Sequence, residues 1–147
     1  MGYTTTFKGK FNLNRKLDKI LHDYLIKFSQ TRRMARKVSS MYGVEGEFYV
    51  DGSGSYGQGD DKNIIDHNHQ PKTQPSLWCQ WRPTNDGMGI EWDGGEKFYA
   101  YETWIVYIIA KILAPNGYVL NGKVKFQGEE KDDSGIIVIE NNRVAEL

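Results

Sequence analysis

The chain has 147 residues, of which 39% are hydrophobic, 26% are charged and 13% are aromatic. This composition is typical of one globular domain, which we expect to span residues 1–147, and it excludes a disordered chain. Lysine and arginine number 19, as do aspartate and glutamate. We therefore expect no long-range attraction of the whole molecule to nucleic acid, duplex DNA included, or to an anionic membrane, and any site for a polyanion must be a local patch.

The first third of the chain predicts a strand and then a helix. Residues 3–13 alternate partly between apolar and polar side chains, which indicates a strand. Apolar residues then recur at helical spacing over residues 17–28, and Asn12 or Asn14 is a suitable N-cap for this helix. We expect the helix to continue over residues 31–38.

A polar stretch follows at residues 43–76, composed mostly of Gly, Asp, Ser, Asn, Gln and His. Loops of this length inside a compact domain are uncommon and are usually functional lids or disordered segments. Its glycine-rich part, residues 51–61, lacks the Gly-Lys-Ser/Thr of a phosphate-binding loop and the ligand pattern of a calcium loop. We interpret it as a flexible loop, and the sequence does not indicate its function.

The middle of the chain predicts a β-hairpin and a second helix. Residues 77–82 and 88–92 have strand character and flank a turn with proline and glycine. Residues 98–113 follow as a helix that ends at a proline and glycine stop. Because Trp104 and Tyr107 make its second side apolar, we expect this helix to lie centrally in the core or to be covered by a partner.

The last third predicts strands at residues 118–127, 135–139 and 144–147, the first with a fold at Asn121–Gly122 as an option. Adjacent strands with short turns pair in antiparallel fashion. The predicted class is α+β, with two helices packed on one face of an antiparallel β-sheet.

The two helices and the sheet share a predicted core. It consists of Leu17, Ile20, Leu21, Leu25 and Phe28 from the first helix, Ile105, Ile108, Ile109 and Ile112 from the second, and Val124, Phe126, Ile137 and Ile139 from the strands.

All four tryptophans and the only cysteine fall within residues 78–107, which we call the aromatic block. Large rings and charged side chains converge in this way in ligand pockets and in interface cores. The candidate binding residues of the block are Trp78, Trp81, Arg82, Trp92, Glu96 and Tyr99.

Arg32, Arg33 and Arg36 are the candidate anion-binding residues. On a continuing helix, Arg32 and Arg36 share a face because they are four residues apart, and two guanidinium groups can bind a phosphate bidentately. The alternative is that these cations complement the dipole of a helix C-terminus and stay solvated. Together with the aromatic block, they predict a site for a small anionic aromatic ligand such as a nucleotide.

Other reactive side chains have plainer explanations. His67 and His69 with Asp66 offer metal ligands, but no set of four lies within reach, so we favour exposed histidines and expect neither a metal nor a cofactor. Cys79 lies in a predicted strand without the spacing of a nucleophile family, and we interpret it as a small buried residue.

Four motifs of unusual composition occupy residues 28–36 (FSQTRRMAR), 74–81 (QPSLWCQW), 90–99 (IEWDGGEKFY) and 117–122 (GYVLNG). Through them the chain resembles a family of small uncharacterised proteins encoded by bacteriophages and by bacteria that carry phage-derived DNA. The resemblance covers most of the chain and is weakest between residues 42 and 63. It implies a phage or prophage source and no particular activity.

These observations favour a non-enzymatic binding protein that sequesters a nucleotide or a nucleotide-derived signal. One alternative is a protein–protein interaction module that inhibits a host enzyme, with the aromatic residues as anchors. A second is a small hydrolase or transferase that uses Glu91, Asp93, Glu96 or Cys79, although no nucleophile, metal set or cofactor loop is evident.

Location and assembly are also expectations. The first residues lack an apolar segment of signal-peptide length, and the longest apolar run is too short to span a bilayer, so we expect a cytoplasmic protein without membrane association. We expect a homodimer or a larger oligomer, because a sheet edge or the side with Trp104 and Tyr107 needs cover.

Overall fold

The structure, a computed structural model, describes residues 2–50 and 62–147. In chain order the described elements are β1 (Thr6–Leu13), α1 (Lys19–Gln30), β2 (Ala35–Arg36), β3 (Ile64–Asp66), β4 (Trp81–Pro83), β5 (Gly89–Trp92), α2 (Tyr101–Ile108), β6 (Leu120–Gln127), β7 (Ser134–Glu140) and β8 (Arg143–Glu146). Six strands form one antiparallel sheet in the order β4-β5-β1-β6-β7-β8, and β2 pairs with β3 separately. The predicted α+β class is confirmed.

β1 lies near the middle of the large sheet, although it comes first in the chain. Phe11 lies opposite Ile90 of β5 on one side and opposite Gly122 of β6 on the other. Alternate residues of β1, such as Phe7 and Phe11, are buried, while Lys8 and its neighbours on the other face are exposed. The helices therefore cover one face of the sheet, and the other face meets solvent.

α1 begins one turn later than expected. Asp18 caps it by accepting a hydrogen bond of 2.8 Å from the backbone N–H of Leu21. The prediction of Asn12 or Asn14 as the cap is wrong, because β1 stays paired with β6 as far as its last residue and holds this part of the chain extended.

The predicted continuation of α1 over residues 31–38 is also wrong. Thr31 is extended (φ −105°, ψ 126°), and its hydroxyl donates to the carbonyl of Lys27 at 2.7 Å, which completes the last helical turn. Beyond it, the backbone N–H of Arg33 donates to the carbonyl of Leu77 at 2.7 Å, and β2 then pairs with β3. Hydrogen bonds to distant segments thus replace helical ones.

α2 continues into a π-helical turn, Ile109–Leu113, and then a 3-10 turn, Ala114–Asn116. Gly117 ends the run with a left-handed backbone (φ 79°), so the predicted helix over residues 98–113 and its glycine stop are confirmed in outline.

Of the two alternatives for the second helix, a central position in the core and cover by a partner, the structure shows the first. Both side chains are buried within the chain, and their rings meet edge to face with centroids 5.4 Å apart. Phe28 of α1 covers the indole of Trp104 at 5.9 Å. The expectation of an oligomer now rests on the sheet edges alone and stays a prediction.

The C-terminal strands match the predicted segments closely. The optional fold at Asn121–Gly122 does not occur, because Gly122 lies inside β6, opposite Phe11 of β1 and Ile139 of β7. Pairing on both sides keeps this glycine within the strand, with a φ of 130° that favours glycine.

Most of the predicted core is confirmed. Ile20 is the exception, since it is 84% exposed, and Leu21 is only partly buried. Ile20 lies about 140° around the helix from the buried Leu25, so the two cannot both face the sheet. The confirmed members are Leu17, Leu25, Phe28, Ile105, Ile108, Ile109, Ile112, Val124, Phe126, Ile137 and Ile139.

The described parts of the predicted loop over residues 43–76 are packed against the rest of the chain. The backbone N–H of Ala35 donates to the carbonyl of His69, and that of Lys37 donates to the carbonyl of Asn63. The glycine-rich segment, residues 51–61, lies outside the described residues, so its interpretation as a flexible loop stays a prediction.

Candidate functional site

A cleft of about 490 Å³ lies between the segment after α1, the approach to β4 and the connection from β5 to α2. It brings together four of the nine predicted binding residues, namely Arg32, Trp78, Glu96 and Tyr99. Lys97 also lines it, and the sequence analysis did not single out this residue. We call this the Arg32 cleft.

Two aromatic side chains line the Arg32 cleft. Trp78 is half-buried, and Tyr99 is 52% exposed. Tyr99 lies between two left-handed residues, Lys97 (φ 56°) and Ala100 (φ 58°). Such a conformation costs about 1–3 kcal/mol at residues other than glycine and persists only where the surroundings enforce it. The β5–α2 connection therefore holds the Tyr99 ring toward solvent at some cost in stability.

The two aromatic walls are fixed by a buried indole. The indole N–H of Trp104 donates to the hydroxyl of Ser76 at 2.7 Å. That hydroxyl lies 3.3 Å from the carbonyl oxygens of both Trp78 and Tyr99, to either of which it can donate. A core side chain thus sets the position of both walls through one serine.

The base of the cleft is ordered by the amide of Gln80. Its nitrogen donates to the carbonyl of Glu96 at 2.7 Å, and its oxygen accepts from the indole N–H of Trp92 at 3.0 Å. Trp92 therefore supports the backbone of Glu96 without lining the cleft.

The charged groups of the cleft are available to a ligand. The Nε of Arg32 donates to the carbonyl of His67 at 3.2 Å, and the other guanidinium nitrogens make no hydrogen bond with the described part of the chain. The ammonium of Lys97 and the carboxylate of Glu96 are likewise unpaired within residues 2–50 and 62–147. Two cations and one anion leave a net positive site, which suits a phosphate.

Arg33 does not line this cleft. Only 2% of the residue is exposed, and its guanidinium donates to the carbonyls of Glu47, at 3.3 Å, and Tyr49. The same group lies 4.2 Å from the centroid of the Phe28 ring. Burial lowers the pKa of Arg33 to about 10, so the group remains charged at neutral pH. It orders residues 47–49, which follow the 3-10 turns Ser40–Tyr42 and Val44–Gly46.

Arg36 is buried as well, and its guanidinium lies 4.4 Å from the centroid of the Tyr49 ring. Because the chain is extended here, Arg32 and Arg36 do not share a helical face as predicted. The arginine cluster is thus divided between one residue in the cleft and two that pack inside the fold.

Trp81 and Trp92 lie opposite each other on β4 and β5 and pack around Phe7. Both indole centroids lie 5.3 Å from the Phe7 ring. Trp81 is buried, and its N–H donates to the carbonyl of Tyr101 at 2.8 Å. These two tryptophans pack in or against the core, and neither lines the Arg32 cleft.

Arg82 is exposed on the edge strand β4, where its Nε lies 3.2 Å from a carboxylate oxygen of Glu91. It lines a separate cleft of about 320 Å³ together with Asp93. Burial raises the pKa of Asp93. Arg82 is therefore a predicted site residue that the structure places apart from the aromatic walls.

A buried polar network joins the side chains of Glu47, Thr73, Gln74 and Tyr107. The carboxylate of Glu47 accepts from the hydroxyl of Tyr107 at 2.7 Å and from that of Thr73 at 3.0 Å. The amide nitrogen of Gln74 donates to the carbonyl of Glu47 at 2.6 Å and to the Tyr107 hydroxyl at 3.1 Å. The available sequence signal was a tyrosine in an apolar helix, because a buried tyrosine hydroxyl needs a partner.

Cys79 is fully buried, as predicted. Burial raises the pKa of its thiol to about 12, so the thiolate that would act as a nucleophile does not form at neutral pH.

His69 lies 2.7 Å from the carboxylate of Asp66 and is exposed. The backbone N–H of Asn68 and then His69 lower the pKa of Asp66. Across residues 2–50 and 62–147, no group of three or more His, Cys, Asp or Glu side chains is placed to hold a metal ion.

An apolar groove of about 900 Å³ lies between α1, the 3-10 turn at Ser40–Tyr42 and the π-helical turn. Ile20 and Met41, which are 84% and 78% exposed, line it, and Lys111 lies at its border. This surface is distinct from the Arg32 cleft.

Comparisons with protein families, with characterised proteins and with solved structures found no match for this chain. No helix within the described ranges is long and apolar enough to cross a membrane. Function therefore has to be inferred from the geometry of the surface.

Proposed function

We propose that the chain is a non-enzymatic, phage-type binding protein that sequesters a nucleotide or a nucleotide-derived signal in the Arg32 cleft. One observation supports this most directly: Trp78, Tyr99 and an available guanidinium line the same cleft. Its volume falls within the roughly 300–1,000 Å³ that is usual for small-ligand sites.

The chemistry of the lining residues supports an anionic aromatic ligand. A base stacked on an aromatic side chain contributes about 1–3 kcal/mol, and a hydrogen bond to a charged group contributes roughly 1.5–3 kcal/mol. In the proposed complex, Trp78 or Tyr99 stacks on the base and Arg32 donates to the phosphate. Lys97 supplies a second cation, and the Glu96 carboxylate accepts from an N–H of the base.

Calorimetric titration with a panel of nucleoside monophosphates and cyclic dinucleotides tests this proposal. We expect Arg32→Ala to weaken binding of the best probe about 10- to 150-fold, the loss of one charge-assisted hydrogen bond, with an unchanged melting temperature. Arg82→Ala is the matched control, because it removes the same charge outside the cleft. The proposal fails if no probe binds, or if both variants weaken binding equally.

Recovery of the bound probe distinguishes sequestration of the nucleotide from its enzymatic turnover. A sequestering protein returns the nucleotide unchanged, whereas a hydrolase or transferase returns a product. Chromatography of the ligand after denaturing the complex distinguishes them. The buried, protonated thiol of Cys79 supports the first outcome.

A second candidate, a protein–protein interaction module that inhibits a host enzyme, is favoured by the apolar groove at Ile20 and Met41. Exposed apolar patches of this kind mark interaction surfaces. Under this alternative, Ile20→Asp abolishes inhibition of the purified host enzyme and leaves nucleotide binding unaffected. Inhibition that survives Ile20→Asp argues against this groove.

A further inference from the structure

Four lysines form a compact array on the solvent face of the sheet. Lys8 and Lys10 of β1 lie directly opposite Lys125 and Lys123 of β6, respectively. All four are exposed, and none forms an ion pair within the described part of the chain. We call these residues the lysine quartet.

This arrangement works against stability. Side chains directly opposite on antiparallel strands have Cβ atoms about 4.5–5.5 Å apart, and like charges at that separation repel. Neutral pairs would keep the face soluble without this cost, as the pairs Thr6–Gln127 and Asn12–Asn121 do at the two ends of the same ladder.

Protection of a sheet edge does not explain the lysine quartet. Lysines on edge strands prevent sheets from pairing with one another. However, β1 and β6 are the two central strands of the six. We therefore explain the two like-charged pairs at the centre of this face by the binding of an anionic partner.

The sheet surface beside the lysine quartet is concave. A depression of about 540 Å³ lies over β1, β6 and β7, with Lys8 and Lys125 on its border. The half-buried Ile136 and Val138 of β7 lie opposite Lys125 and Lys123. The ammonium groups of Lys123 and Lys125 thus belong to side chains that lie beside a short aliphatic surface.

Acidic groups on this face neutralise the lysine quartet only in part. Glu91 lies opposite Lys10 on β5, where it is already engaged by Arg82 at 3.2 Å. Asp86 is near enough for Lys10 to lower its carboxyl pKa, although hydrogen bonds from Thr84 and Met88 lower it more. Glu140 of β7 lies diagonally across from Lys123, because Val138 is the residue directly opposite that lysine. None of Lys8, Lys123 and Lys125 forms an ion pair with a described carboxylate.

We infer that the lysine quartet binds the phosphate backbone of single-stranded nucleic acid. Residues two apart along a strand lie about 6.5–7 Å from each other on one face, so the quartet offers a two-by-two array of cations to successive phosphates. A flexible linear polyanion follows a depression between strands, which a flat bilayer cannot enter. Bases can lie over the aliphatic surface of β7.

The test is fluorescence anisotropy with a labelled oligothymidylate of about 20 nucleotides, long enough to cover such a surface. At about 50 mM salt, the double variant Lys8→Gln/Lys125→Gln should bind about tenfold more weakly or worse. Its plot of log affinity against log salt should be shallower by about 1.4, because each phosphate contact on a single strand contributes a slope of about 0.7.

The matched control is Lys27→Gln/Lys62→Gln, which removes two exposed lysines from other surfaces and should bind as the wild type does. Loss of Lys8–Lys125 repulsion should also raise the melting temperature of the test variant by about 1–3 °C.

Three results overturn the inference. The first is no binding at low salt, and the second is an equal loss in both double variants. The third is complete displacement of the oligonucleotide by polyglutamate or by phosphatidylserine vesicles at matched charge, which would assign the face to an acidic protein or a membrane. Salt-dependent binding that only the Lys8→Gln/Lys125→Gln variant loses supports it.

Discussion

Replacing Tyr107 with phenylalanine removes one oxygen from the buried polar network and leaves the ring in place. The lost hydroxyl donates to the Glu47 carboxylate at 2.7 Å and accepts from the Gln74 amide at 3.1 Å. The Gln74 amide keeps its hydrogen bond to the Glu47 carbonyl. The variant therefore tests mainly the contact between a buried hydroxyl and a buried carboxylate.

The expected loss of folding stability follows from that contact. A hydrogen bond to a charged group contributes about 1.5–3 kcal/mol, and burial leaves no water to replace the missing donor. For a chain of 147 residues, the entropy of unfolding is about 0.3 kcal/mol per kelvin near the transition. Tyr107→Phe should therefore lower the melting temperature by about 5–10 °C.

Thermal unfolding followed by circular dichroism measures this effect. Tyr99→Phe is the matched control, because its hydroxyl makes no hydrogen bond with the described residues and its ring is half-exposed. We expect that control to melt within about 2 °C of the wild type. Equal melting of all three proteins would show that the Glu47 carboxylate does not depend on Tyr107.

Three further outcomes are expected. Ile108→Ala should lose about 2–5 kcal/mol in denaturant unfolding, because Ile108 is fully buried; an unchanged midpoint would remove it from the core. Cys79 should react with a thiol reagent at pH 8 only after denaturant is added, and rapid labelling of the native protein would contradict its burial. A hydrogen bond with Glu146 raises the pKa of Glu102, so its contribution to stability is full below the unfolded pKa and is lost as pH rises through the folded pKa. Glu102→Gln should flatten this fall in melting temperature as pH rises above the ordinary pKa of a glutamate, and parallel profiles would refute it.

Elements defined by their own side-chain periodicity were predictable from the sequence. β1, the hairpin of β4 and β5, the second helix and the C-terminal strands all have such patterns. The segment after α1 does not, because Arg, Met and Ala suit a helix locally. Hydrogen bonds from Arg33 and Ala35 to segments more than thirty residues away determine its conformation, and no local pattern encodes them.

The candidate site was predictable in part. Clustering in sequence brought Trp78, Glu96 and Tyr99 together, and of the three arginines predicted to join them the structure places only Arg32 in the cleft. Which tryptophan lines a cleft and which packs inside depends on the twist and pairing of short strands, which composition does not reveal. The burial of Arg33 was unforeseeable for another reason: arginines are almost never fully buried.

The central position of β1 determines when the protein can fold during synthesis. Phe11 is synthesised well before its neighbours Ile90 and Gly122. Until β6 has emerged, the apolar face of β1 has no sheet to join, and pairings between such distant segments form slowly. Nascent chains therefore expose Phe7 and Phe11 until β6 has been synthesised, so holding by a chaperone at this stage should affect yield more than the stability of the finished fold.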